Sequence, residues 1–116
     1  MKVLISGSRK CETPSVVIER LEKLPKNDLL IIHGSARGVD SIAQTWCVEK
    51  SINVTTYPAD WNKYGRAAGP IRNREMLKEN PDLVIAFPCP NSKGTRDMIE
   101  AAKSAGFTVE IVELGE

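Results

Sequence analysis

Residues 82–102 read DLVIAFPCPNSKGTRDMIEAA. The apolar run 83–87 has the length of a buried strand. It gives way to a loop containing Pro, Asn and Ser, and then to a helical stretch opening at Gly94-Thr95. A helix that starts this way leaves its first amides without intrahelical acceptors, and the positive end of its dipole points past the sheet edge. Such an end suits an anion, most commonly a nucleotide phosphate. Two other joins share this form, at Gly7-Ser8-Arg9 and at Gly34-Ser35-Ala36-Arg37-Gly38.

Outward from that stretch, strands and helices alternate. Strands are expected at 2–6, 29–33, 52–57, 83–87 and 107–114. The first helix starts at Thr13-Pro14, a capping residue followed by proline at the first helical position, and Pro25 stops it. Val39, Ile42, Ala43 and Trp46 mark one face of a second helix. Helices are also expected at 70–79 and 95–104, with 58–69 irregular. The strands are continuous apolar runs, as required where helices cover both faces of a sheet. Right-handed crossovers then give an α/β, doubly wound, Rossmann-like three-layer sandwich. Its parallel five-stranded sheet is expected in the order 3-2-1-4-5, with residues 1–116 forming a single domain. Ligands in such sheets sit beyond the carboxyl ends of the strands at the switch point, here between strands one and four. The three loops would converge there.

The chain has 116 residues and a net charge of +1, so no bulk field recruits nucleic acid or a membrane surface. Cys11, Cys47 and Cys89 are odd in number and lack metal spacing, which points to a reducing cytoplasm. The apolar run at the N-terminus is too short for a signal peptide, and no stretch is long enough to cross a bilayer.

Each loop also has a plainer reading. Gly7 and Gly34 can serve tight turns, and Arg9 and Arg37 can be solvated surface charges. Their position past strand ends favours phosphate or carboxylate binding. Asp40 and Asp97 stand in first helical turns, where a carboxylate complements the dipole. His33 ends a buried strand and reads as a packed, hydrogen-bonded residue; Trp46 reads as core. The segment 58–73, PADWNKYGRAAGPIRN, is harder to explain by packing. Trp61 and Tyr64 sit off any periodic face, where an aromatic ring can stack on a base. Arg66, Arg72 and Asn73 add donors, and Asp60 adds a carboxylate suited to ribose hydroxyls. The alternative is a surface loop whose tryptophan covers the core.

The motifs GSR (7–9), HGSARGVDSIAQTW (33–46), PADW (58–61), GRAAGPIRNREM (65–76) and GTRDMIEAA (94–102) resemble the YspA-like branch of the SLOG superfamily. The resemblance spans nearly the whole chain in order. It implies a Rossmann-like nucleotide binder, related to the Lonely Guy phosphoribohydrolases, to the DNA-processing protein Smf and to sensor domains for NAD-derived nucleotides. The branch occurs in bacteria and phages. The enzymes of the superfamily carry Pro-Gly-Gly-x-Gly-Thr-x-x-Glu. Here Pro88 and Gly94-Thr95 correspond, Cys89-Pro90 replaces the double glycine, Asn91 and Ser92 lengthen the loop, and Met98 stands at the glutamate position. Proline removes one amide that would cradle phosphate. Cleavage of a glycosidic bond also requires a nearby carboxylate. Cys89 has no general base beside it in the sequence.

Two functions follow. The first is a nucleotide sensor or binding module without turnover, with Gly7, Ser8, Arg9, Gly34, Ser35, Arg37, Lys93, Gly94 and Thr95 on phosphate and Trp61, Arg72 and Asn73 on base or sugar. The second is a phosphoribohydrolase acting on a nucleoside 5′-monophosphate, with Asp40, Asp60 and Asp97 as catalytic carboxylates. No resident cofactor is indicated. A divalent cation is compatible with phosphates, but no acidic cluster demands a metal. Single-stranded DNA binding is disfavoured because the chain is nearly neutral. The resemblance also implies a homodimer, for which the third helix, with Arg72, Arg74, Lys78 and Glu79 beside Ile71, Met76 and Leu77, is a candidate contact.

Overall fold

The computed structural model describes residues 1–115. Five parallel strands form one sheet in the order β3-β2-β1-β4-β5, as expected. They are β1 (Lys2–Gly7), β2 (Leu30–His33), β3 (Asn53–Thr56), β4 (Leu83–Phe87) and β5 (Val109–Ile111). The central strand β1 pairs Val3 with Ile31 on one side and with Leu83 on the other, and its last residue, Gly7, stands opposite Phe87.

The continuous apolar runs have a direct explanation. Val3, Ile5, Ile31, Ile85 and Phe87 pack against helices α1 (Pro14–Glu22) and α2 (Val39–Lys50), through Val17, Leu21, Val39, Ala43 and Trp46. The intervening residues Leu4, Ile32 and Val84 belong to a second core with Met76, Leu77, Met98 and Ala102, from helices α4 (Ala68–Leu77) and α5 (Lys93–Ser104). Alternate residues face opposite sides of a strand, so a sheet with two covered faces requires every position to be apolar. Trp46 is core, and its indole N–H donates to Glu22 Oε1 at 2.7 Å. Cys47 is buried beside it, and that burial pushes its thiol up to about 11.

The expectation of an irregular 58–69 is corrected. Asp60 caps a four-residue helix, α3 (Trp61–Tyr64), by accepting from the Lys63 amide at 3.1 Å. A 3₁₀ turn, Gly65–Ala67, then leads into α4 at Ala68. Pro70 does not open α4 but lies in its first turn, where its missing N–H has no partner to lose. α5 likewise begins at Lys93, two residues before the expected start, and β5 is shorter than expected. Met76 and Leu77 are buried in the second core, which removes two of the three apolar residues expected at a dimer contact.

The strand-to-helix junction at β1 tolerates no side chain. A Cβ on Gly7 would lie 2.5 Å from Val39 Cβ. Gly7→Ala should destabilise the fold by about 1–3 kcal/mol through overpacking. Val39→Ala in the same chain should recover part of that loss, as read by urea unfolding of both single variants and the pair. Strict additivity would show that the two residues do not press on each other.

Candidate functional site

Loops following β1, β2 and β4 meet at the carboxyl edge of the sheet. Together with α3, α4 and the start of α5 they enclose a cleft of about 760 Å³. A smaller hollow of about 320 Å³ adjoins it, and Arg9, Ala36, Trp61 and Arg72 line both. Of the expected ligand residues, Gly7, Ser8, Arg9, Trp61, Arg72, Asn73, Lys93, Gly94 and Thr95 line the cleft. Gly34, Ser35 and Arg37 line the hollow instead.

The three loops are not equivalent. At the start of α5, Lys93 N donates to Asn91 O and Arg96 N to Ser92 O, while the Gly94 and Thr95 amides between them have no acceptor among the described residues. No acidic residue stands in that first turn. The loop after β2 is different. Gly34 N and Ala36 N both donate to Asp40 Oδ2 at 3.2 Å, and Ser35 N donates to His33 Nδ1 at 3.0 Å. The His33 ring proton therefore sits on Nε2 and is donated to Gln44 Oε1 at 2.6 Å. The amides of Gly34 and Ser35, expected to hold phosphate, are thus already used inside the chain. A carboxylate folded back from α2 holds the place an anion would take.

Ser8 is committed as well. Its amide donates to Phe87 O at 3.1 Å, and its carbonyl accepts from Val39 N at 3.0 Å. Its hydroxyl accepts from Lys10 N at 3.1 Å and lies 3.0 Å from Cys89 Sγ. Cys89 Sγ in turn lies 3.1 Å from Ser92 Oγ, so a hydroxyl–thiol–hydroxyl chain ties the β1 loop to the β4 loop.

Helix α4 links the walls. Arg72 Nη1 donates to Gly34 O at 2.7 Å, and the next residue, Asn73, donates from Nδ2 to Gly94 O at 3.2 Å and to Asp97 Oδ2 at 3.0 Å. Burial lowers the Arg72 guanidinium against the pull of Asp40, and Arg9 lowers it further. At the rim, Arg9 lies over the Trp61 ring, 5.0 Å from its centroid, and Trp61 is 47% exposed. This is a cation–π pair at an exposed site.

The expected catalytic carboxylates separate. Asp60 lines neither cavity and serves as the α3 cap. Asp97 lines the cleft but is forked by Arg74, at 3.0 and 3.3 Å, and by Asn73. Burial raises its carboxyl, and the bonds from Arg74 and Asn73 outweigh that and hold it below the ordinary value. Met98 is fully buried in the second core, so no carboxylate faces the cleft from that position. Asp40 is 4% exposed, and its Oδ1 has no partner among the described residues. Burial raises its carboxyl, against the two loop amides and Arg72.

Lys10 and Glu12 also line the cleft and escaped sequence reasoning. Their position just past a strand end was the available signal. Among the described residues no group of His, Cys, Asp and Glu side chains is placed to hold a metal ion, and no helix is long and apolar enough to cross a membrane.

Comparison with known proteins agrees with this architecture. The model of the YspA, cpYpsA-related SLOG family matches residues 1–64. Gene 61 protein of Mycobacterium phage D29 is 38% identical over 116 residues, covering 93% of each chain. The X-ray structure of TM1055, a structural genomics target, superposes with a TM-score of 0.74 over 93% of this chain and 71% of that one. At 20% identity that likeness concerns the fold.

Asp40 makes stability depend on pH with a defined sign. A folded-state carboxyl raised above the ordinary 3.8 contributes stability that is full below that value and is lost as pH rises through the raised one. In Asp40→Asn the amide oxygen can still accept from Gly34 and Ala36 without a buried charge. Urea unfolding at a series of pH values, about 4 to 8, should therefore show the wild type losing stability relative to Asp40→Asn as pH rises. A constant difference across that range would contradict the assignment.

Proposed function

The chain belongs to the YspA, cpYpsA-related SLOG family, and from that premise we propose that it binds a nucleotide or nucleotide-derived ligand in the cleft, as a sensor or binding module. The observation that carries this reading is the open start of α5. The amides of Gly94 and Thr95 have no acceptor among the described residues, and they stand in the first turn of a twelve-residue helix, a turn without a carboxylate. A helix end of this kind receives a phosphate through its N–H groups and its dipole.

The surrounding charges fit an anion. Arg9, Lys10, Arg66, Arg72 and Lys93 line the cleft, against Glu12, Asp40 and Asp97. Asp97 is matched by Arg74, which lies outside the lining. The wall is therefore positive in a chain whose net charge is only +1. Trp61 supplies an exposed aromatic surface at the rim for a base. Arg72 and Asn73 are held by the loops they touch, so their remaining donors are fixed in direction before a ligand arrives.

The binding reading is favoured over the phosphoribohydrolase because of where the carboxylates stand. Asp97 is tied into an ion pair, Asp60 caps α3 without lining the cleft, and Met98 occupies the core. An oxocarbenium-like transition state requires a carboxylate close to the sugar.

Gly94→Asp tests the reading at its centre. A Cβ there meets nothing within 4 Å, so the substitution fits. An aspartate in a first helical turn complements the dipole, and the ligand-free variant should melt no lower than the wild type. Binding of nucleoside mono-, di- and triphosphates, followed by calorimetry, should weaken by at least about tenfold, since like charges then meet at the cradle. Unchanged affinity would remove phosphate from this helix end. Free base released in the same samples would turn the reading to the hydrolase.

A further inference from the structure

The smaller hollow beside the cleft has a charge balance of its own. Arg9, Arg37 and Arg72 line it, and no carboxylate of the described residues does. In a chain of 16 basic and 15 acidic residues that is a local imbalance. A lone surface arginine is ordinarily solvated. Three around one concavity repel one another, and its walls supply no counter-charge.

These guanidiniums keep donors to spare. Arg37 is exposed and makes no hydrogen bond or ion pair among the described residues. Arg9 is held by the Trp61 ring, 5.0 Å from its centroid, and not by a carboxylate. A ring contact positions a guanidinium without occupying the fork that grips a phosphate. Arg72 is oriented through Nη1 on Gly34 O at 2.7 Å and Nε on Asn73 Oδ1 at 3.1 Å, and its Nη2 has no acceptor among the described residues. Burial lowers the Arg72 guanidinium, Asp40 raises it, and Arg9 lowers it again. An anion bound between Arg9 and Arg72 relieves that last repulsion. The loop amides of Gly34 and Ser35 are already consumed, so side-chain charge is what meets an anion here.

The cleft and the hollow adjoin, and Arg9, Trp61 and Arg72 line both, so one ligand can occupy the two together. At about 760 Å³ the cleft alone has the size of a small-ligand site, and the hollow adds about 320 Å³. The loop of Arg37 follows β2 and α5 follows β4, with β1 between them. Two strand spacings, about 10 Å, therefore separate the loops at the sheet edge. Adjacent phosphates of a diphosphate share one oxygen and cannot span that gap. A ribose with a phosphate at each end spans more, and the long arginine side chains supply the remaining reach. On the strength of the nucleotide reading above, we propose that the hollow is a second anion subsite: Arg9, Arg37 and Arg72 hold one phosphate of the ligand there, while another phosphate of the same ligand rests on the Gly94 and Thr95 amides. The ligand class is a nucleotide whose two phosphates are separated by the sugar.

The second phosphate has two sources, the 2′ and the 3′ oxygen. Calorimetry of the wild type with AMP, ADP, adenosine 2′,5′-bisphosphate and adenosine 3′,5′-bisphosphate distinguishes them. One bisphosphate should bind about tenfold or more tighter than AMP, the scale of hydrogen bonds to a charged group. ADP carries the added charge without the separation and should gain less. The tighter bisphosphate identifies the oxygen. Arg37→Gln isolates the hollow, because Arg37 lines the hollow and not the cleft. The ligand-free variant should melt as the wild type does, and its preference for the bisphosphate over AMP should fall by about fivefold or more. If neither bisphosphate gains over ADP, or if Arg37→Gln keeps the full preference, the second subsite is overturned and the phosphate reading at α5 stands. If the wild type binds none of the four, both readings fall together.

Discussion

The meeting of two backbones at residues 7–9 and 38–39 governs the architecture of the cleft. Ser8 donates its amide to Phe87 O and accepts the Val39 amide on its carbonyl, so one residue joins the ends of β1 and β4 to the start of α2. Such close approach leaves no room for side chains. A Cβ on Gly38 would press on Ser8 O and lie 2.6 Å from the Arg9 carbonyl, and Gly38 has φ +74, a conformation that favours glycine. With these backbones in contact, the loops after β1, β2 and β4 have one place to go, the space above the switch point. The cleft is a consequence of that convergence.

The same junction determines which helix end is available to an anion. The first amide of α2 is spent on Ser8 O, and the loop before it folds onto Asp40. That helix therefore carries its own carboxylate. α5 has no acidic residue in its first turn, and the Gly94 and Thr95 amides have no acceptor among the described residues. Two joins that look alike in sequence thus differ in charge, one self-neutralised and the other positive. A near-neutral chain can in this way carry a locally positive cleft wall. The excess of positive charge is local, because Asp97 is matched by Arg74 from outside the cleft lining.

Much of the fold was legible in the sequence, because burial of both sheet faces forces unbroken apolar runs and such runs survive any detail of packing. The strand order followed from the preference for right-handed crossovers. The segment 58–69 was misread because its helices are too short to show periodicity and contain Gly65, Gly69 and Pro70. Proline in a first turn reads as a start although the helix has already begun. For the site, Gly7 and Gly94 were legible from position alone. The occupation of the Gly34 and Ser35 amides was not, since it depends on two side chains folding back onto their own loop. The pairing of Asp97 with Arg74 lay equally beyond reach, because it arises from the packing of α4 on α5. Asp60 is a third case. Its residue type suits a cap, but the four-residue helix it caps is too short to be read from sequence.

One further consequence follows from how Asp40 and Arg72 share a loop. Asp40 holds the amide of Gly34, and Arg72 holds its carbonyl. A Cβ on Gly34 would lie 2.6 Å from Arg72 Cζ, so the guanidinium is seated directly on this backbone. The acceptor at Asp40 and the donors of Arg72 are therefore positioned by the same residue, and neither can move without altering the other. Arg72 also reaches both the cleft and the smaller hollow. The cost of burying its charge is offset in part by Asp40, and the cost of burying Asp40 in part by Arg72, as their opposite influences on each other show. The pair thus braces the loop after β2 from both sides of Gly34, one from α2 and the other from α4.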